Sequence, residues 1–333
     1  MLTARRAVGG LGIALGVGLV ATTLGLSLFQ RTGEAERVLD RFQPAVSPKG
    51  LPQFQSDYRT TIDGATELKE KAFPRFARDL GLTQPQFDAL VRRDFAAVAA
   101  GIDDVPRIET FVDPLLARVD ALPGDKFKPL FDLPVPWLPT TSMPWLMLAS
   151  GLGLIGLGAL TWRRPGTRML WALAATGLAL GVVPLALSLP SRTEAAARIL
   201  PTLRAGLSDE FATNGDFAVR VTDALVQQVR AELLPELGRR LHLTPAQVGA
   251  VIARDYPAVA RLNANWGGII SRARRNVADI RESEPDFAFA DGISYEPLPW
   301  GIVGGGFLLA LAAAASLAPA ARRRASAALA TAA

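Results

Sequence analysis

Four stretches of the chain carry no charged residue for long enough to cross a bilayer, which takes about 20 apolar residues. They cover residues 7–30, 143–162, 169–190 and 298–319. Between them the pattern changes to one of apolar positions at helical spacing, as at Phe87, Leu90, Val91, Phe95 and Val98. This periodicity predicts a helix over 84–100, and further helices over 31–42, 54–73, 107–121, 194–206, 216–234 and 267–283. Thr83-x-x-Gln86 and Thr244-Pro245-x-Gln247 read as capping boxes, the second with proline at the favoured first helical position. Hairpin signals between alternating strands are missing; Asn214-Gly215 falls between helical segments. The expected fold class is all-α, an integral membrane protein with four transmembrane helices and two helical ectodomains.

Sliding the chain on itself by 161 positions aligns residues 80–99 with 241–260, and 10 of these 20 positions are identical. The identities include Thr83, Gln86, Arg93 and Asp94, which a shared Ala-rich helical composition does not explain. The same offset pairs Arg31-Thr32 with Arg192-Thr193, Pro74 with Pro235 and Gly16 with Gly177. The expected organisation is a tandem duplication of one unit, span–ectodomain–span. Repeat 1 is 1–162, with its ectodomain at 31–142; repeat 2 is 169–319, with its ectodomain at 191–297. A short loop (163–168) joins them and a basic tail (320–333) follows. Repeats in this order are parallel, related by an axis along the membrane normal.

Charge then orients the spans. The formal charge is +5, but all 31 acidic residues lie in the two polar blocks, together with 28 of the 36 basic ones. The remaining arginines are Arg5, Arg6, Arg163, Arg164, Arg168 and Arg322 to Arg324, all beside the apolar runs. Short arginine-rich loops stay cytoplasmic. Both termini are therefore expected inside a cytoplasmic membrane, with the ectodomains outside. Such a distribution does not suit a nucleic-acid partner. The first apolar run is longer than the ~7–15 residues of a signal-peptide core and lacks a small-residue cleavage site, so it reads as an anchor. Arginine outnumbers lysine 31 to 5, which points to a GC-rich bacterial genome.

The chemistry is sparse. There is no cysteine and one histidine, His242, whose counterpart at the offset is Gly81. Thiolate or histidine metal sites and Ser-His-Asp triads therefore lack their parts. No cofactor is expected, nor an enzyme. The apolar runs hold no ionisable residue of the kind that proton relays need. Their glycines, in Gly12-x-x-x-Gly16, Gly177-x-x-x-Gly181 and Gly301-x-x-x-Gly305, suit close helix contact.

By helical spacing Asp94 falls among Phe87, Val91 and Val98, and the alignment repeats it as Asp255. A buried carboxylate calls for a cationic partner. Arg78 and Arg239, or Arg37 and Arg198, are the expected ones; Arg93 is the poorest, because adjacent helical residues do not face each other. The pair Asp94 and Asp255 reads first as structural and second as a ligand site. Arg272, Arg274 and Arg275, together with Trp137, Trp145 and Trp300 near the span ends, are the candidates for contact with lipid headgroups. The proline- and aromatic-rich stretches before the returning spans, from Lys126 to Trp137 and from Phe287 to Trp300, suit the outer headgroup layer or the bundle base.

The expected function is non-enzymatic. Duplicated helical ectodomains would serve as an assembly or accessory scaffold in a bacterial cell envelope, with membrane lipids and other envelope proteins, or a second copy, as partners. The first alternative is binding or transport of a lipid or hydrophobic molecule between the repeats near the outer leaflet. The second is an extracytoplasmic sensor coupled to a partner. An apolar pocket between the repeats would favour the first alternative; an exposed apolar patch would favour the scaffold.

Overall fold

The computed structural model describes residues 2–47, 49–122 and 141–332, the side chains of Val46 and of 319–332 excepted. The stretch 126–137, with Trp137, and the side chains of Arg322 to Arg324 lie outside the described residues. Among the described residues the protein is helical throughout. The elements are α1 (Leu2–Gly25), α2 (Leu28–Val46), α3 (Gly50–Glu67), a π-helical turn (Leu68–Ala72), α4 (Phe73–Asp79), α5 (Gln84–Asp94), α6 (Ala96–Asp103) and α7 (Val105–Asp120). Then follow α8 (Ser142–Arg163), α9 (Thr167–Ala186), α10 (Leu189–Gly206), α11 (Asp209–Gln228), a second π-helical turn (Val229–Leu233), α12 (Leu234–Arg240), α13 (Pro245–Asp255), α14 (Pro257–Ala290) and α15 (Pro297–Ala332).

The chain divides into two compact units, and each draws on both halves of the sequence. The first is built from described residues within Met1–Leu39, Phe127–Pro201 and Asp286–Ala333; the second from Asp40–Lys126 and Thr202–Pro285.

In the first unit, four helices are long and apolar enough to span a membrane: α1, α8, α9 and the part of α15 up to Ala318. Every large hydrophobic side chain left exposed among the described residues lies on these four, Trp145, Trp162, Trp171 and Trp300 included. Apolar surface on that scale is consistent with a membrane protein. Glycine lets the helices touch. A Cβ at Gly16 would sit 2.5 Å from the Gly151 carbonyl, and one at Gly158 would sit 2.6 Å from that of Gly9. The α9–α15 seam is made likewise by Gly177 and Gly306. The expected motif at Gly301 is displaced: Gly301 faces open space, whereas Gly305 meets Leu15 and Gly306 fills the seam. The four-residue spacing alone does not say which face of a glycine-rich helix meets its neighbour. At one end of the unit the Arg5 guanidinium donates to the Pro165 carbonyl at 3.2 Å, which brings the N-terminal arginines to the 163–168 loop. Elsewhere, Phe29 packs edge-on against Trp145, their centroids 4.7 Å apart.

The second unit has one apolar core to which both halves contribute. Phe73, Phe76, Phe87, Val91 and Val98 pack with Leu233, Leu237, Ile252, Tyr256 and Trp266. Its architecture recurs at the 161-residue offset. Both π-helical turns directly precede a proline-bearing helix (Pro74, Pro235). Proline lacks an N–H and its ring crowds the carbonyl four residues back. A widened turn relieves that crowding, and Phe73 and Leu234 donate instead to the carbonyls five residues back, of Leu68 and Val229. Both capping boxes form.

The expected helix over 84–100 is broken at Phe95 (φ −132°, ψ 56°), and Tyr256 breaks the other half in the same way. Tyr256 precedes Pro257, which disfavours helical backbone before it. Phe95 has no such proline. There the break is held by tertiary contact: neither Phe95 nor Tyr256 can cap the helix it starts, and each cap comes from the opposite half. Gln228 Oε1 accepts from the backbone N–H groups of Ala97 (2.8 Å) and Val98 (3.1 Å). Glu67 Oε2 accepts from those of Ala258 (2.7 Å) and Val259 (3.1 Å). Side-chain size is exchanged in parallel. Gly64 lies against Leu262, and Gly101 against Leu225, so closely that a Cβ at either glycine would fall 2.6 or 2.5 Å from a leucine carbon.

His242 follows α12 in the left-handed region (φ 55°), where the first half has Gly81 (φ 69°). The Leu243 and Leu82 amides then reach back to the Gly238 and Ala77 carbonyls, closing both helix ends alike. Left-handed backbone costs a residue with a Cβ roughly 1–2 kcal/mol, and glycine returns part of that gain through its greater freedom when unfolded. His242→Gly is therefore expected to raise stability by about 0.5–1 kcal/mol, measurable as a higher melting midpoint of the full chain in detergent. A lower midpoint would mean that the imidazole has a role the turn does not explain.

Candidate functional site

The second unit encloses an apolar cleft of about 130 Å³. Its walls come from α3, α7, α11 and α14, so both halves supply them. Seven pairs of lining positions stand 161 residues apart: Phe54/Gly215, Asp57/Ala218, Tyr58/Val219, Thr61/Thr222, Ile108/Ile269, Phe111/Arg272 and Val112/Ala273. Trp266, 1% exposed, forms part of the wall, its indole N–H donating to Asp223 Oδ1 at 2.9 Å. The lining threonines spend their hydroxyls on their own helices: Thr61 donates to the Asp57 carbonyl and Thr222 to that of Ala218. Such back-bonding leaves little polar demand in the walls. An engineered apolar cavity of about 150 Å³ takes up benzene. The cleft therefore has room for a ring or a short run of methylenes.

The two sides of the cleft differ in chemistry. Arg272 makes a bidentate pair with Asp57, Nε to Oδ2 at 2.6 Å and NH2 to Oδ1 at 2.9 Å. At the matching positions stand Phe111 and Ala218, and Phe111 packs edge-on against Phe211 at 5.7 Å. Next to the ion pair opens a polar groove of about 370 Å³ lined by Gln53, Ser56, Thr60 and Asn265. Tyr58 turns its hydroxyl to Asp113 at 2.6 Å, and burial together with that carboxylate pushes the phenol well above its ordinary value. Arg272 is held above its ordinary value by the hydrogen bonds it donates to Asp57.

The residues singled out from the sequence fare differently. Asp94 is not buried among Phe87, Val91 and Val98; its side chain is 33% exposed. Its partner is Arg93, the candidate ranked last, with Nε at 2.7 Å and NH2 at 2.9 Å. Arg254 and Asp255 repeat this pair at 2.6 and 2.9 Å. The reason is that Asp94 and Asp255 are the last residues of α5 and α13. Where the backbone leaves the helix, neighbouring side chains can meet, and the helical spacing no longer places the carboxylate. The hydrogen bond from Arg93 holds Asp94 below the usual carboxylate range, as Arg254 does for Asp255.

The other expected partners bond within their own helices or elsewhere. Arg239 takes Glu236, which Arg239 and Arg240 together hold down to about 2. Arg37 takes Glu34 and Asp286, while Arg78 and Arg198 donate to the carbonyls of Pro74 and Glu194. An exposed ion pair contributes little, so Asp94→Ala is expected to leave the melting midpoint within error of wild type. A large loss would restore the buried reading.

In the basic cluster, Arg272 is bound to Asp57 and Arg274 to Asp223 at 2.7 Å; Arg275 is exposed. Among the described candidate site residues, Arg272 is the one that lines the cleft. Glu67, Gln228 and the cleft walls were not singled out, although Glu67 stands out afterwards as an acid only 6% exposed. No group of three or more acidic, histidine or cysteine residues among the described ones is placed to hold a metal. Comparison of the chain with protein-family models, with curated proteins and with solved structures finds no match, so the cleft has to be read from its own residues.

Proposed function

We propose that this chain is a non-enzymatic, duplicated membrane protein of a bacterial cell envelope whose extracytoplasmic helical unit binds a small hydrophobic molecule or acyl chain. The observation that carries the reading is the apolar cleft lined by matching positions of both halves. Duplication is supported by recurrence at the 161-residue offset of the π-helical turns, the capping boxes, the left-handed residues and the exchanged helix caps. The inside-facing termini are supported by the contact of Arg5 with the arginine-bearing loop.

The scaffold, first in order from the sequence, has less to support it. Among the described residues the second unit exposes no large hydrophobic side chain of the kind seen on the four apolar helices. Its two halves share one core rather than standing as separate modules.

Photolabelling tests the reading. The full chain, in nanodiscs, would be treated with an uncharged alkyl diazirine and the adducts mapped by mass spectrometry. Lipid-facing helices will label in any case. The expected result is a second set of adducts on peptides holding Phe111, Trp266 and Ile269, removed when Ala218→Phe fills the cleft. Adducts confined to the four apolar helices would sink the proposal.

A further inference from the structure

The cleft and the polar groove beside it share Asp57, Ile269 and Arg272. They thus lie side by side, with Ile269 and the Asp57–Arg272 pair where they meet. Among the described residues, Asp57 and Arg272 are also the only charged ones lining either part. Each neutralises the other through two hydrogen bonds, and Asp57 Oδ1 accepts a further one from Gln53 at 2.8 Å. The rest of the groove offers hydroxyls and amides: Ser56, Thr60, Asn265 and the Gln53 carbonyl oxygen.

Resting on the cleft reading above, we infer that the ligand is a single-chain amphiphile with an uncharged polar head, of the monoacylglycerol or alkyl-glycoside class. Its chain would lie in the cleft and its hydroxyls in the groove. A carboxylate or phosphate head would meet Asp57 beside an arginine already committed. A quaternary ammonium head would meet Arg272 beside a carboxylate already committed. Hydroxyl groups match the amide and hydroxyl side chains without disturbing the ion pair, and a bound polar head that leaves no buried charge unpaired avoids the main cost of polar binding.

The arrangement makes a test by charge. Radiolabelled monodecanoylglycerol, decanoate and decyltrimethylammonium share one chain length. Their binding to the full chain in nanodiscs would be measured by equilibrium dialysis below the micellar range, with empty discs subtracted. Wild type is expected to prefer the glyceride by about tenfold or more. Asp57→Asn, which frees Arg272, should raise decanoate affinity by about tenfold, and Arg272→Gln should do the same for the ammonium. Both variants must keep the wild-type melting profile. Should either melt early, Ser56→Ala serves in its place: it removes a groove hydroxyl outside the ion pair and should weaken the glyceride alone. Decanoate or the ammonium binding wild type as tightly as the glyceride, with Ala218→Phe abolishing all three, would overturn the inference while leaving the cleft reading intact. No binding by any of the three would overturn both.

Discussion

Leucine at Gly101 is expected to destabilise the helical unit by about 1–3 kcal/mol, and glycine at Leu225 to restore most of that loss. The new side chain at 101 has no space, since even its Cβ would fall 2.5 Å from Leu225. Leu225→Gly alone should cost about 2–5 kcal/mol, because it opens a cavity in the shared core. Together they rebuild the same pair with the partners exchanged. Glycine inside a helix costs up to ~1 kcal/mol relative to alanine, but the exchange moves one glycine without adding another, so that penalty cancels. Denaturant melts of the four full-length proteins give the coupling directly. Losses that merely add would mean that the two side chains do not meet. The same exchange at Gly64 and Leu262 should behave alike. The first half carries both small residues and the second both large ones. Two copies of the first half, paired as the two halves are, would leave voids; two copies of the second would collide.

Removal of the carboxylate at Glu67 is the other large effect. Glu67→Ala leaves the amides of Ala258 and Val259 without their acceptor inside the unit, at a cost of about 2–3 kcal/mol. Glu67→Gln should cost less than half of that, because Gln228 makes the matching pair of contacts with an amide oxygen. The fourth residue on confirms the exchange of chemistry: Lys71 donates to Glu67, whereas Gln228 donates to Glu232. Glu67→Gln paired with Lys71→Glu should therefore recreate the second half's cap in the first, with melting close to wild type. Equal losses for Glu67→Ala and Glu67→Gln would show that the negative charge, not the acceptor, matters at α14.

Much of this protein is legible along the chain because it follows from local pattern. Apolar runs of about 20 residues are long enough to cross a bilayer, and all four appear as helices of membrane-spanning length, though α1 ends at Gly25 and α9 at Ala186, earlier than the apolar runs do. Both breaks carry a left-handed serine, Ser27 and Ser188, which no hydropathy pattern signals. The capping boxes and the helix start at Pro257 are equally local, and each is found where the spacing puts it; the periodicity over 84–100 is found too, but split at Phe95.

What the chain alone did not determine is whatever depends on residues meeting across the two halves. Helical spacing assigned Asp94 to the apolar stripe because it assumes an unbroken helix; α5 instead ends at Asp94, which pairs with Arg93, and α6 starts afresh under a cap from Gln228, 131 residues away. Arg272 could be picked out as basic, but its pairing with Asp57, 215 residues away, and its place on the cleft belong to the packing of α3 against α14. The cleft itself is space left between side chains. The helices and the four membrane-length segments can be read along the chain, because they answer to neighbours within a turn or two. The exchanged caps, the glycine–leucine pairs and the cleft arise only on folding, because each needs an acceptor, a volume or a void supplied from the other half of the chain.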